Sequence, residues 1–392
     1  MTGRPDGLRD GPVYLDYNST TPVDPRVTEA MLPYLTTHFG NPSSGHAYGE
    51  RPRRALAAAR GQVAGLIGAA AEEIVFTGAG SEADVLAVFG AVLARLTERP
   101  GAAEVITQPT EHPAVLEACR ALAERHGVRV TYLPVGADGR VDPADLEAAI
   151  GPRTALVTIM AANNETGVLQ PVGPLARIAR AHGAVFHTDA AQAAGKIPVD
   201  VGALGVDLLT VVGHKIYAPK GIAALYVRSG VRLEPVIVGG GQERGLRAGT
   251  EPVAPAVALG TAAELARAEL ADGGPERLRA LRDRLHRRLA DALPGRVRLN
   301  GHAGQRLPGT LNVVIDGVDG AELLAATPGI AASTGSACHT GQDGPSPVLD
   351  AMGTAATTYP LRLSLGRWTT EAEVDDAAER IATSARTLLA RP

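Results

Sequence analysis

Cysteine and aromatic residues are scarce in this chain of 392 residues, which has two cysteines, Cys119 and Cys338, and only 3% Phe, Trp and Tyr. Two cysteines cannot form a disulfide framework. No group of Cys and His residues has the spacing of zinc ligands, so we expect no metal site. Because hydrophobic residues make up 45% of the chain, the core must be built mainly from Ala, Val, Leu and Ile.

Long runs of one kind are also missing. No apolar stretch reaches the roughly 20 residues that span a bilayer, and Met1–Gly7 lacks the apolar segment of a signal peptide. The formal net charge is -4, without a long basic run, which argues against nucleic acid or an anionic membrane as the main partner. We therefore expect a cytoplasmic enzyme.

Short apolar runs alternate with helical patterns over the first two-thirds of the chain, which predicts an α/β fold with a mainly parallel sheet. After about residue 255, two successive helices, two short strands and a closing helix predict a smaller α+β unit, and the chain length also favours two folding units. The predicted strands are 74–77, 105–107, 154–160, 184–187, 207–212 and 223–227, then 297–299 and 311–315.

A lysine stands at the end of one of these buried runs, in Gly213-His214-Lys215. Burial of a charged lysine is costly unless the charge is neutralised or paired. A covalent imine to an aldehyde cofactor removes the charge, and lysines of this kind bind pyridoxal phosphate. The alternative interpretation is a surface lysine that follows an edge strand.

Other polar side chains follow neighbouring strands. Asp189 could hold a protonated pyridine nitrogen, with Gln192 close to it in sequence, or Asp189 could simply be a helix N-cap. The turn Gly78–Ser81 would expose backbone N–H groups to a phosphate at a helix start, although many α/β turns have this composition. His112 could stack on a planar ring or be structural.

Asn164 could supply an amide donor or belong to a plain turn. The carboxyl ends of parallel strands share one edge of the sheet, and the residues just past those ends are expected to meet there. These residues are Ser81, His112, Asn164, Asp189 and Lys215.

Two further residues lie in the C-terminal part. Cys338 is in a small, polar, Gly-rich segment, which favours an accessible nucleophile, whereas Cys119 is at an apolar helix position and is predicted to be structural. Arg362 alternates with apolar residues on a predicted strand. Its guanidinium could bind an α-carboxylate with two hydrogen bonds, or it could form a surface ion pair.

Together these motifs resemble the cysteine desulfurases, pyridoxal-phosphate enzymes of the class V aminotransferase group. The resemblance extends from Tyr14–Asn18 to Leu361–Arg367 and so covers nearly the whole chain. Its specific elements are Thr110-Glu111-His112, Asn163–Gly167, Asp189–Gln192, Gly213-His214-Lys215, Gly239–Arg244 with Arg247–Thr250, and Gly335-Ser336-Ala337-Cys338.

The resemblance implies a fold-type-I homodimer. A large domain, residues 18–255, would bind pyridoxal 5'-phosphate, and a small domain, residues 1–17 and 256–392, would carry the cysteine loop. The resemblance implies that Lys215 anchors the cofactor, that His112 stacks on its ring and that Asp189 pairs with the ring nitrogen. It implies contacts to the ring hydroxyl from Asn164 and Gln192, and contacts to the phosphate from Gly80, Ser81, His214 and the neighbouring subunit's Thr250. Cys338 would be the nucleophile, and Arg362 and Asn164 would bind the substrate.

The implied reaction converts L-cysteine to L-alanine, leaves the sulfur on Cys338 as a persulfide and passes it to an acceptor protein. Three alternatives stay open. The first is a selenocysteine lyase, because the segment around Cys338 and Pro345–Leu349 is also similar to those enzymes. The second is another class V reaction, such as transamination or a kynureninase-type cleavage. The third is a non-catalytic subunit that binds the cofactor. In one departure, Val212 replaces a Ser or Thr that usually contacts the phosphate.

Overall fold

The computed structural model describes residues 3–99, 101, 103–335, 346–354 and 359–391. Its strands are β1 (Val13–Tyr14), β2 (Ile74–Thr77), β3 (Glu104–Thr107), β4 (Arg129–Tyr132), β5 (Thr154–Thr158), β6 (Val185–Asp189), β7 (Leu208–Val212), β8 (Ala223–Val227), β9 (Val297–Leu299), β10 (Thr310–Ile315), β11 (Ile330–Ala331) and β12 (Leu361–Ser364). Its helices are α1 (Pro25–Met31), α2 (Pro33–Thr36), α3 (Ala47–Ile67), α4 (Gly80–Glu98), α5 (Pro113–His126), α6 (Pro143–Ala149), α7 (Val172–Ala181), α8 (Val201–Leu204), α9 (Val253–Ala271), α10 (Gly274–Ala292), α11 (Gly320–Ala325), α12 (Pro347–Ala351) and α13 (Glu371–Leu389).

The central sheet has seven strands in the order β2-β8-β7-β6-β5-β3-β4. The neighbours from β4 to β7 run parallel, which confirms the predicted α/β class. Strand β8 is antiparallel to both β7 and β2. Its direction was not predicted, because an apolar run of residues indicates a buried strand but not the direction in which that strand pairs.

Helices cover both faces of this sheet. Strands β5, β7 and β8 are buried at every position, as expected for strands covered on both sides. On one face α4 and α5 contribute Leu86, Val92 and Cys119 to the core. Burial raises the pKa of the Cys119 thiol to about 12, which keeps it protonated and unreactive. On the other face α3, α7 and α9 form a larger core.

Helix α5 shows how local sequence sets a boundary close to the site. His112 is its N-cap, Pro113 occupies the first helical position, and Gly127 follows the last turn with a φ of 65°. Proline is pre-set for the first turn of a helix, and glycine adopts the left-handed conformation that ends one. Helix α5 therefore starts directly after His112 and fixes that residue at its N-terminus.

A second core lies in the C-terminal part of the chain. Strands β12, β10 and β9 form an antiparallel sheet, and the apolar faces of α10 and α13 share a core with it. Residues 13–15 pack here as well, because Leu15 joins this core and β1 pairs with β11.

Helix α9, which begins near the predicted domain boundary, contributes Leu259 and Ala263 to the core of the large sheet. The exact domain limits, 18–255 for the large domain with 1–17 and 256–392 for the small one, stay a prediction. Within the described ranges, no helix combines the length and the apolar character that a membrane span requires.

Candidate active site

A cavity of about 420 Å³ opens at the carboxyl ends of the central strands. The segments that follow β2, β5, β6 and β7 all contribute to its wall, as expected for a ligand site of an open α/β sheet. The sequence-predicted residues that line it are Gly80, Ser81, His112, Asn164, Asp189, Gln192, His214, Lys215 and Arg362.

Lys215 ends a short 3-10 turn, Gly213–Lys215, that follows β7. Its Nζ donates hydrogen bonds of 2.7 Å to the backbone oxygens of Asn18 and Ser19. Both carbonyls belong to residues 16–20, which we call the N-terminal segment. The amine of Lys215 is thus held at the wall of the cavity by a part of the chain almost 200 residues away.

The backbone just after Lys215 adopts an uncommon conformation. Tyr217 has a φ of 71°, which costs free energy for a non-glycine residue. Its N–H donates to Thr21 Oγ1 at 2.9 Å, and its hydroxyl accepts from the backbone N–H of Arg367 at 2.7 Å. These bonds hold the strained residue in place and so fix the turn that presents Lys215.

Two buried carboxyls line the same cavity, Asp189 at the end of β6 and Asp84 in α4. Burial raises the pKa of Asp84 well above its usual value, and the neighbouring Asp189 raises it further. Burial also raises the pKa of Asp189, but His112, the N–H of Ala191 and Lys215 act against that rise. Of the two, Asp189 therefore ionises more readily and is the better partner for a cation.

The turn between β2 and α4 forms another end of the cavity. A Cβ on Gly80 would lie 2.6 Å from Cγ2 of Val212, so only glycine fits beside this valine. Opposite them, His214 Nδ1 is 3.0 Å from Thr20 Oγ1. Burial, followed by the charges of Lys215 and Lys220, lowers the pKa of His214 to about 4, so this imidazole is neutral at pH 7.

His112 is held by its own helix. Its Nδ1 accepts a hydrogen bond of 3.1 Å from the backbone N–H of Ala114. The Thr110 carbonyl just before it accepts from Asn163 Nδ2 at 3.0 Å. Because Nδ1 is an acceptor here, the proton of the neutral imidazole resides on Nε2, and this nitrogen can donate a hydrogen bond.

Arg362 reaches the cavity from β12 and is 2% exposed. Its Nη2 contacts Asp16 Oδ1 at 2.8 Å and Ser19 Oγ at 2.5 Å, while Nη1 donates to the backbone oxygen of Asn164 at 3.1 Å. Among the described residues its Nε has no hydrogen-bond partner. The Arg362 guanidinium therefore links a strand of the C-terminal sheet to the N-terminal segment at the wall of the cavity.

Two sequence-predicted residues remain. Thr250 is exposed and does not line the cavity, and Cys338 lies outside the described residues. Sequence reasoning did not assign roles to four polar residues that line the cavity, Asn18, Ser19, Asp84 and Lys220. Asn18 ends the element Tyr14–Asn18 and Ser19 follows it, Asp84 lies just after the turn Gly78–Ser81, and Lys220 lies just after Lys215. Proximity in sequence to those motifs was the signal available.

Known proteins resemble the chain over nearly its full length. The family model described as aminotransferase class V matches residues 13–376. A cysteine desulfurase of Trichormus azollae is 48% identical over 94% of this chain and 91% of the relative, and the cysteine desulfurase IscS of Anaeromyxobacter dehalogenans is 50% identical over 93% and 90%. A solved structure titled as a NifS-like protein superimposes with a TM-score of 0.88 at 35% identity, covering 96% of this chain and all of the other. The chain therefore belongs to the class V aminotransferase family and, within it, to the cysteine desulfurases.

Proposed function

We propose that the 420 Å³ cavity is the place where this protein converts L-cysteine to L-alanine with the help of pyridoxal 5'-phosphate. The observation that carries the proposal is the convergence of an amine, a carboxyl and a guanidinium, those of Lys215, Asp189 and Arg362, from three different strands. These are the groups needed to anchor an aldehyde cofactor, to hold a protonated ring nitrogen and to bind an amino-acid carboxylate.

The residues present fit pyridoxal phosphate. The cavity lies within the range of about 300–1,000 Å³ typical of small-molecule sites. Two buried polar atoms on its wall, Asp84 Oδ1 and Arg362 Nε, have no hydrogen-bond partner among the described residues, as expected where a polar ligand binds.

Each part of the cofactor has candidate partners on this wall. We assign the aldehyde carbon to Lys215 and the ring nitrogen to Asp189, which is the carboxyl that ionises more readily. His112 would stack on the ring, with Asn164 and Gln192 near its hydroxyl group. Gly80, Ser81 and His214 would bind the phosphate; the start of α4 favours an anion there. When bound, pyridoxal phosphate supplies a protonated ring that accepts the electron pair released at the substrate α-carbon.

Val212 makes the phosphate end of the cavity more apolar. We expect Val212→Thr, which keeps the shape and adds a hydroxyl donor, to bind pyridoxal phosphate about tenfold more tightly, because a hydrogen bond to a charged group contributes about 1.5 kcal/mol or more. The measurement is a titration of the ligand-free protein with the cofactor. Val212→Ala is the matched control that removes methyl groups without adding a donor; equal affinities of the Thr and Ala variants would contradict the prediction.

Substrate binding falls to Arg362, whose Nε is available and whose other nitrogens are held by Asp16, Ser19 and Asn164. The Lys215 amine is positioned to take a proton from the substrate α-carbon. His112 accepts from Ala114 at Nδ1 and carries its proton on Nε2, so it would donate a hydrogen bond from that nitrogen.

We assign the sulfur step to Cys338. Its thiolate attacks the substrate sulfur and a new sulfur–sulfur bond forms. The carbon–sulfur bond of the substrate breaks with its electron pair left on carbon, which takes up a proton and becomes the methyl group of alanine. The persulfide on Cys338 is then passed to an acceptor protein.

The proposed function is tested by incubating the purified protein and the cofactor with L-cysteine. We expect L-alanine as product, and mass spectrometry of the intact protein should show the gain of one sulfur atom at Cys338. Cys338→Ser should keep the bound cofactor and lose both the added sulfur and sulfide release. Pyruvate in place of alanine, or full activity on L-cysteine in that variant, would exclude this mechanism. Activity of the variant on selenocysteine alone would favour the lyase alternative.

We further propose that two copies of the chain form the enzyme and that it works in the cytoplasm. Phe39 and Tyr48 are large exposed side chains whose rings lie 5.7 Å apart, and adjacent exposed apolar side chains are a feature of interaction surfaces. Thr250 is exposed on its own subunit and is thereby available to the phosphate site of a second one. Light scattering should give about twice the mass of the 40.3 kDa chain; the monomer mass would overturn the dimer.

A further inference from the structure

Lysine is rare in this protein. Of its 38 basic residues three are lysines, Lys196, Lys215 and Lys220, and all the others are arginines. Two of the three line the cavity, and the third, Lys196, lies directly behind its wall. In a chain that otherwise uses arginine, all the lysines therefore lie at this cavity or directly behind it, which makes their contacts the place to look for a further role.

Lys196 lies in the turns after β6, four residues beyond Gln192. Its Nζ donates to Gln192 Oε1 at 2.5 Å and to Asn18 Oδ1 at 3.1 Å. Gln192 Nε2 donates in turn to the backbone oxygen of Asn18 at 2.9 Å. That same oxygen accepts from Lys215 Nζ at 2.7 Å. The contacts thus run from Lys196 through Gln192 and Asn18 to the amine of Lys215.

The chemistry of these groups sets their orientation. An ammonium can only donate, whereas a side-chain amide accepts at its oxygen and donates at its nitrogen. Lys196 therefore binds the oxygen of Gln192, and the NH2 group of Gln192 must point the other way, toward Asn18. By the same argument the oxygen of the Asn18 side chain faces Lys196, so its NH2 group donates to Asn164 O at 3.2 Å and to Thr310 Oγ1 at 3.0 Å.

We propose that Lys196 is a positioning residue: it binds the oxygen of Gln192, so that the NH2 group gives one N–H to the Asn18 carbonyl and directs the other to the cofactor ring, and it holds the part of the N-terminal segment that binds Lys215. This inference rests on the proposed function, because Gln192 is assigned there to the side of the ring hydroxyl. An amide in the reverse orientation would present its oxygen to the ring oxygen and repel it.

The charges around Lys196 give it a second effect. Burial of its ammonium lowers the pKa of Lys196 well below the usual value, and the cations of Lys215 and Arg362 lower it further. On the other side, Lys196, Lys215 and Glu269 line a small cavity of about 30 Å³, and Glu269 is paired with Arg367 at 2.8 Å. In its protonated form, Lys196 adds positive potential at the Lys215 nitrogen, where it opposes protonation.

The test uses the full-length protein with pyridoxal phosphate and the variant Lys196→Met, which keeps the side-chain length but removes the charge and the donors. We expect affinity for the cofactor to fall about tenfold, as for the loss of a charge-assisted hydrogen bond. The pH midpoint of the visible absorbance of the lysine-bound cofactor should rise by about one unit, because one neighbouring cation has gone. Lys196→Arg should restore most of that midpoint.

Arg380→Met, which removes an exposed cation of α13, is the control for net charge and should titrate like the wild type. If Lys196→Met does not fold, Lys196→Gln, neutral but still a donor, takes its place and should show the same rise of the midpoint. An unchanged midpoint in the neutral variant overturns the proposal, as does a midpoint in Lys196→Arg that is shifted as far as in Lys196→Met. If the wild type itself shows no visible absorbance with pyridoxal phosphate, the proposed function fails instead.

Discussion

Lys215→Ala should abolish the yellow colour of the protein with pyridoxal phosphate and lower the rate of alanine formation by a factor on the order of 10³ or more. The variant removes both the amine that would bind the cofactor and the base that would take the substrate proton, and general-base catalysis alone contributes about 10²–10⁴. It also leaves the carbonyls of Asn18 and Ser19 without the donor that they share in the wild type. The measurements are a visible spectrum and a discontinuous assay of alanine.

The chain offers a matched control in Lys196→Met, because the two lysines share Asn18 as a hydrogen-bond partner. The control should keep the yellow colour even if it binds the cofactor less tightly. A yellow Lys215→Ala protein, or a colourless Lys196→Met protein at saturating cofactor, would mean that the anchor has been assigned to the wrong lysine.

Arg362→Met should raise the KM for L-cysteine about 100-fold while the visible spectrum of the bound cofactor is retained. Removal of one member of a desolvated charge pair typically costs about 2–5 kcal/mol, and 2.7 kcal/mol corresponds to 100-fold. The guanidinium is 2% exposed and is already oriented by Asp16, Ser19 and Asn164, so the proposed binding of a carboxylate would require no further ordering of this side chain. Steady-state kinetics with L-cysteine measure the effect.

The same substitution also leaves Asp16 without its partner and should lower stability. Arg306→Met separates the two effects. Arg306 is 4% exposed, donates to the backbone oxygens of Thr166 and Asn300, and does not line the cavity. We expect a lower melting temperature in both variants and a raised KM only in Arg362→Met. An equal KM in the two variants would remove the substrate-binding role from Arg362.

Local sequence predicted much of the fold because the relevant interactions are local. Strand β2 was predicted over residues 74–77 and β8 over residues 223–227, and both elements have these bounds in the structure. Proline, glycine and an uninterrupted apolar run act on neighbouring residues, so their effect can be inferred without the rest of the chain. The direction of β8 depends on the strands with which it pairs, and an apolar run of residues carries no information about those partners.

The candidate site divides in the same way. Residue types and their spacing after successive strands were enough to propose Lys215, Asp189, His112 and Ser81 as neighbours, because parallel strands end at one edge. The roles of these residues, and that of Cys338, are predictions that the proposed variants test.

By itself the sequence determined the family of this protein, the class of its central sheet and the group of residues that meet at its edge. Only the tertiary structure decided how those residues are held. Asn18 contacts Lys215 across 197 residues of chain, and Asp16 contacts Arg362 across 346. The position of Lys196 behind the cavity wall also became apparent only in the tertiary structure, since nothing around it in sequence distinguishes it from a surface lysine. Contacts of this kind arise from the packing of one core against another, and local patterns of residues carry no information about such packing.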